Sequence, residues 1–277
     1  MTLKEACLYG EEKLERAGVP EAKLNAWLLL EHVSGCTKSH YLAYPKEELP
    51  EKAKQRFQEA LKLRCQRIPL QHITGVQEFM GHTFRVNDKV LIPRQDTELL
   101  VEEVLKDLKL GMRFLDLCTG SGCILLSLLM GCPGALGTGA DISTEALKIA
   151  EKNRELLNQE ALLLESDLFE QIEGTFDVIV SNPPYIRSEE ISSLMEEVRI
   201  YEPLSALDGH EDGLYFYQRI AKESPSYLKP GGRLYLEIGY DQGISVPELL
   251  EEQGFCQIEV KKDLAGLDRV VKGMYPG

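Results

Sequence analysis

Apolar residues recur at helical intervals from Thr2 to about Arg67, and the breaks between them divide the stretch into separate helices. Thr2-x-x-Glu5 has the spacing of a capping box, in which side chains satisfy the free backbone donors of a helix start. Gly18-Val19-Pro20 ends the first helix. Ala22 to Val33, carrying Trp27 and Leu28 to Leu30, forms the second and stops at Gly35, Pro45 and Pro50 bracket a further break, and Glu51 to Arg67 is the last. Residues 1–70 therefore predict a small all-helical domain. Residues 71–95 change character: short apolar runs, His82 to Val86 and Lys89 to Ile92, flank Asn87-Asp88 and predict a β-hairpin linker.

From residue 96 to 277 strands and helices alternate. Helices are expected at 97–108, 121–130 and 144–157, between strands at 113–117, 136–141, 162–166 and 176–181. Helices near 189–197 and 211–227, a strand at 233–238, a helix at 245–253 and strands at 256–262 and 268–274 follow, the last two joined by a loop short enough for an antiparallel pair. A βαβ series of this kind predicts an α/β fold, a doubly wound, seven-stranded and mainly parallel sheet with helices on both faces. Its ligand is expected beyond the carboxyl ends of the first strands.

Composition narrows the class. Hydrophobic residues make up 43% and charged residues 27%, ordinary for a globular chain, and no run of about 18 apolar residues suggests a membrane span. The opening Met1-Thr2-Leu3-Lys4-Glu5 turns acidic at once, unlike a signal or transit segment, so a cytoplasmic location is expected. The seven cysteines are scattered with no C-x-x-C spacing and read as reduced, mostly buried thiols. The five histidines show no metal-ligand spacing, so no metal is expected.

The net charge of -14 is unevenly spread: residues 1–70 hold 12 Lys/Arg against 10 Asp/Glu, and residues 71–277 hold 19 against 35. Such acidity repels a phosphate backbone, and no stable nucleic-acid binding is expected. It would suit a basic protein partner, although solubility alone is the more ordinary reason for it.

The strand Arg113 to Cys118 runs through Thr119-Gly120-Ser121-Gly122 into an apolar helix, and glycine there lets backbone approach a ligand. A dinucleotide fingerprint would place a third glycine where Leu125 stands, which disfavours a dehydrogenase. Asp141 ends the next strand, 19 residues after Gly122, where a carboxylate can accept from both hydroxyls of a ribose; its competing role is a helix cap before Ser143. Asp167 is expected to end the third strand, where it can receive an adenine amino group under Leu168 or Phe169. Cys118 to Gly122, Asp141, Asp167 and Leu168 thus suit one adenosine-type ligand.

The most informative stretch is the apolar strand Phe176 to Ser181 feeding Asn182-Pro183-Pro184-Tyr185. Each proline fixes its own φ and restricts the residue before it, so Asn182 is held extended. An amide or aromatic amino nitrogen is a poor nucleophile with two N–H donors to grip. The Asn182 side-chain oxygen and the Pro183 carbonyl can accept them while Tyr185 stacks on the planar group, with Pro184 keeping the turn rigid. Asn182, Pro183 and Tyr185 are the expected catalytic residues, and Asn182 also borders the cofactor.

The chain resembles the methyltransferases of peptide chain release factors, the PrmC or HemK family. The likeness rests on Asp116 to Gly122 and Asn182 to Tyr185, and on Ile92-Pro93-Arg94-Gln95-Asp96-Thr97-Glu98 and Tyr201 to Gly209. Glu211-Asp212-Gly213-Leu214, Glu237-Ile238-Gly239, Ala265 to Arg269 and the helical front domain continue it. Cys118, Gln95 and His210 depart from glycine, proline and glycine of the usual pattern; the lone His210 reads as a surface loop residue with no role. The resemblance implies a Rossmann-like class I methyltransferase domain that uses S-adenosylmethionine to methylate the glutamine side-chain amide of a Gly-Gly-Gln tripeptide in release factors. It also implies a helical domain that helps recognise the release factor, in a chain expected to be monomeric. A methyltransferase of adenine in DNA uses a similar turn on a flipped base, but the acidity and the lack of a basic insert weigh against it. A non-enzymatic nucleotide-binding module is weighed against by the intact Asn182 turn.

Overall fold

The computed structural model describes all 277 residues, and their packing divides into two units: residues 1–76 with 195–201, and residues 77–194 with 202–277. In the first, α1 (Leu3–Arg16), α2 (Ala22–Ser34), α3 (Lys38–Ala43), α4 (Glu51–Cys65) and α5 (Leu70–Thr74) close around Leu14, Leu29, Leu30, Phe57 and Leu61. The capping box forms as its spacing predicts: Glu5 N donates to Thr2 Oγ1 at 3.2 Å and Thr2 N to Glu5 Oε2 at 2.9 Å. The two short helices, α3 and α5, were not foreseen. At five and six residues they carry too few turns to show a hydrophobic period.

The hairpin lies upstream of its expected place. β1 (Val76–Phe79) pairs with β2 (His82–Arg85) across Met80-Gly81, both at positive φ (50° and 72°) as a tight two-residue turn requires. Lys89 to Ile92 forms no strand. Val86 and Val90 instead pack on Ala146 and Ile149.

The second unit holds a seven-stranded sheet built as expected. It runs through α6 (Asp96–Asp107), β3 (Arg113–Leu117), α7 (Cys123–Gly131), β4 (Leu136–Asp141), α8 (Thr144–Leu156), β5 (Ala161–Glu165) and β6 (Phe176–Ser181). Next come α9 (Glu196–Tyr201), which belongs to the first unit, then α10 (Tyr215–Glu223), β7 (Leu228–Glu237), α11 (Ser245–Glu252), β8 (Cys256–Lys262) and β9 (Asp268–Met274). The order is β5-β4-β3-β6-β7-β9-β8, parallel except for β9, which runs antiparallel to both of its neighbours. Two apolar layers cover the sheet, one around Ile179, Tyr217 and Leu236, the other around Phe114, Leu125 and Tyr235.

Several details differ from expectation. β5 stops at Glu165, so Asp167 stands two residues beyond the strand rather than at its end. The helix expected near 189–197 resolves into a 3₁₀ turn at Ile191–Ser193 followed by α9. α9 is tied within its own unit by Glu197, which accepts from Arg64 Nη2 at 3.0 Å and Arg67 Nη2 at 2.7 Å. All seven cysteines are free, but only Cys7 and Cys123 are buried. No helix is long and apolar enough to cross a membrane.

Candidate active site

The carboxyl ends of β3, β4 and β6 open on a cavity of ≈ 530 Å³ in the second unit. That is the size range of sites for nucleoside-sized ligands. Of the residues expected to bind cofactor, Cys118, Thr119, Gly120, Ser121, Asp141, Asp167, Leu168 and Asn182 line it, and Gly122 does not. Gly122, at φ 79°, is the N-cap of α7, and its role is the turn into the helix.

The loop is held from below and from the side. Asp116, fully buried under it, accepts from Thr119 Oγ1 at 2.6 Å and from Leu125 N at 3.2 Å. Burial pushes this carboxyl up to about 7, against the pull of those two donors, and its Oδ1 has no partner. Asn153 of α8 clasps the hairpin to the loop: Nδ2 donates to Ser121 O at 2.8 Å and Arg85 O at 3.0 Å, and Oδ1 accepts from Arg85 N at 2.7 Å.

Asp141 accepts from Gly120 N at 2.8 Å and from Ser143 N at 2.9 Å, and burial raises its carboxyl above the ordinary range. The helix cap is Ser143, whose hydroxyl accepts from Ala146 N. Asp141 is therefore a loop clamp on the cavity wall, with the backbone N–H of Ile142 also facing its carboxyl. Asp167 is paired to Arg219 of α10 at 2.8 Å. Leu168 lines the cavity, whereas Phe169 turns away and stacks on Tyr227 at 4.6 Å.

The second wall is the turn after β6. Ser181, the last residue of that strand, bonds Leu117 O at 2.8 Å, so Asn182 emerges beside the loop that follows β3. Asn182 and Pro184 line the cavity; Pro183 and Tyr185 do not. Asn182 Nδ2 donates to Thr97 Oγ1 of α6 at 3.3 Å. Tyr185 is half-buried, and burial, with the Glu237 carboxyl nearby, pushes its hydroxyl far up, so it stays protonated.

The turn is braced from outside. Ile186 N donates to Leu207 O at 3.0 Å and Gly209 N to Ile186 O at 2.8 Å. Gln242, buried, donates to Gly213 O at 3.1 Å and Tyr185 O at 3.3 Å. A Cβ on Gly209 would stand 2.7 Å from Tyr185 Cα, and one on Gly213 2.5 Å from Tyr185 O, so both positions require glycine.

Known proteins resemble this chain. Residues 5–75 match the PrmC N-terminal domain and residues 94–207 the methyltransferase small domain. The chain is 41% identical over 279 residues to the release factor glutamine methyltransferase of Caulobacter vibrioides, covering 99% of this chain and 96% of that one. It belongs to the release factor glutamine methyltransferase family. The protein of that name from Clostridium acetobutylicum is 39% identical over 284 residues, covering all of both chains. A methyltransferase of Pyrococcus furiosus, 20% identical, shares the fold over 72% of this chain and 91% of its own with a TM-score of 0.54.

In this member of the release factor glutamine methyltransferase family the departures from the usual pattern acquire physical content. Cys118 (φ 58°) and His210 (φ 69°) both adopt left-handed backbone where glycine is usual, the conformation a Cβ makes costly. His210 is exposed and borders the cavity, its ring 4.4 Å from that of Tyr215. Gln95 precedes α6 and makes no side-chain cap. Thr97, Asn153, Gly209, Gly213, Glu237 and Gln242 had no individual role assigned from sequence. Each acts through a neighbour remote in the chain, which residue spacing does not reveal.

Proposed function

We propose that the chain transfers a methyl group from S-adenosylmethionine to the side-chain amide nitrogen of the glutamine in the Gly-Gly-Gln tripeptide of release factors, and so supports translation termination. The observation that carries this reading is the orientation of Asn182. With Nδ2 turned onto Thr97, its Oδ1 is left for the cavity, an acceptor where an amide N–H must be gripped.

The cavity suits the methyl donor. Gly120 has no Cβ to fill its wall, Asp141 offers a carboxylate where ribose hydroxyls would donate, and Leu168 offers an apolar surface for a ring. Cys118 to Gly122, Asp141, Asp167 and Leu168 would hold that cofactor, which supplies a methyl group on a sulfonium centre. The chain's own contribution is position. Asn182 Oδ1 and the Pro183 carbonyl, which no donor of the chain occupies, would each accept one N–H of the substrate amide. Gripping both donors fixes the nitrogen's approach and draws its electron density toward a more nucleophilic geometry. Pro183 and Tyr185 lie off the cavity wall, so the Pro183 contact and any stacking of the Tyr185 ring on the planar amide need the substrate peptide to reach beyond the cavity itself.

The helical unit is proposed to recognise the release factor. The chain is taken to act as a cytoplasmic monomer without stable binding to nucleic acid, in keeping with a sequence pI near 4.9.

Purified protein incubated with methyl-labelled S-adenosylmethionine, a release factor and, separately, adenine-containing duplex DNA tests the reading. Label is expected on the release-factor glutamine, located by mass spectrometry, and label on DNA alone would refute it. Asn182→Ala is expected to abolish transfer with cofactor binding intact; equal loss of both would make Asn182 a structural residue.

A further inference from the structure

We infer that Glu237 is the positioning residue that sets which end of the Asn182 amide faces the substrate. The inference rests on the proposed glutamine methylation for its catalytic consequence, but its structural content stands apart from it.

The sheet puts the two residues side by side. β6 and β7 run parallel with Ser181 opposite Leu236, so the next step along each strand brings Asn182 and Glu237 together at the carboxyl edge. Glu237 is only 2% exposed, so its carboxyl acts on a substrate only through another side chain. Its main chain is fixed: Tyr217 Oη donates to its carbonyl at 2.8 Å, and β9 holds it opposite Val270.

The carboxyl has no ion pair. Arg269, the nearest cation, is engaged by Asp263 at 3.1 Å, Asp96 at 3.4 Å and the Ile238 carbonyl at 3.3 Å. No full hydrogen bond closes on Glu237 Oε2, although the Thr97 hydroxyl and the Asn182 amide both face the carboxyl closely enough to favour its charged form. A buried, unpaired carboxyl of this kind destabilises a fold, and one retained beside a reactive turn calls for a functional reason.

Donor and acceptor counting supplies it. An ionised carboxylate only accepts, so the groups facing it must donate. A threonine hydroxyl has one proton, and when that proton points to Glu237 the Thr97 oxygen is left to accept from Asn182 Nδ2, at 3.3 Å. The amide is then held with NH₂ inward and Oδ1 toward the cavity. The flipped amide would set N–H against the N–H groups of the substrate and lose the grip.

The orientation carries a pH signature. Burial pushes Glu237 up to about 7, with Thr97, Arg269 and Asn182 pulling down and Asp96 pushing further up; Tyr185, Tyr217 and the Cys123 thiol of α7 also face it and stay protonated. Below that pH the carboxyl is neutral and carries a donor of its own, so the bias on Asn182 weakens. Above it the acceptor-only form dominates and activity is expected to rise.

The chain has only five asparagines, so selective ¹⁵N-asparagine labelling gives five side-chain amide pairs, and Asn182→Ala identifies the relevant one. In the wild type that pair is expected to shift with a midpoint near pH 7, and in Glu237→Gln the shift should vanish. Kinetically, Glu237→Leu should lower kcat by about 100-fold, the scale of a misplaced reacting group, with S-adenosylmethionine affinity unchanged and the thermal midpoint not lowered. Glu237→Gln, the fixed counterpart of the protonated carboxyl, should hold the rate near the low-pH level of the wild type with a flat pH profile through this range. Asp116, which titrates in the same range, is separated by Asp116→Asn: a limb lost there but kept in Glu237→Gln would overturn the assignment. So would a Glu237→Leu variant of full kcat, or one whose cofactor affinity and kcat fall together. Should the wild type leave release factor unmethylated while the Asn182 resonance still depends on Glu237, the methylation reading fails and the positioning role stands.

Discussion

Asp141 shows how one side chain serves loop and ligand together. It receives one backbone N–H from the cofactor loop, at Gly120, and one from its own turn, at Ser143, and is raised by burial, so removing it unties Gly120 as well as any ribose hydroxyl. Asp141→Ala is expected to weaken S-adenosylmethionine binding by about 10- to 100-fold, the equivalent of one charge-assisted hydrogen bond, as read by titration calorimetry. An unchanged affinity would leave Asp141 with the loop alone. Asp141 and Asn182 were legible from sequence because each stands where an apolar strand stops, a boundary that hydrophobic patterning marks. Glu237 also ends a strand, yet its importance depends on which strand lies beside it, and that order is not written in spacing. Thr97, in the first turn of a helix 85 residues away from Asn182, is hidden for the same reason.

At the scale of elements, the segment 207–213 acts as a brace for the reactive turn. Gly209→Ala pushes a methyl into the Tyr185 backbone rather than into a flexible side chain, so the turn itself must move. Methyl transfer is expected to fall by about 100-fold while far-UV circular dichroism and cofactor binding hold. Near-normal turnover would show that the brace yields without disturbing Asn182. Most helices and all seven strands of the sheet were readable from hydrophobic period. The hairpin was misplaced because Asn87-Asp88 has turn composition between two apolar runs. Met80-Gly81 takes the positive-φ turn instead, and the second run is held by packing on α8. The return of α9 to the first unit had no sequence signal, since it depends on Glu197 meeting Arg64 and Arg67, each about 130 residues away.

Over the whole molecule, residues 71–277 carry the excess of acid and also the cavity, so the proposed transfer to a protein rather than to duplex DNA agrees with the electrostatics of the catalytic unit. The sheet holds one further consequence. β7 begins irregularly, its register against β6 slipping between the Leu228 and Arg233 pairings, and then runs regularly from Arg233 to Leu236. The irregular part, Lys229-Pro230-Gly231-Gly232, can take up an added residue as a larger bulge, whereas one added after Arg233 shifts Glu237 by about 3.3 Å and turns it to the other face. Chain length should thus be permissive on one side of Arg233 and fixed on the other. In a scan of single-alanine insertions, methyl transfer is expected to survive beside Gly231 and to vanish between Leu234 and Leu236. A strand that counts residues only over its last few positions lets the rest of the domain vary in length without moving the Asn182 turn.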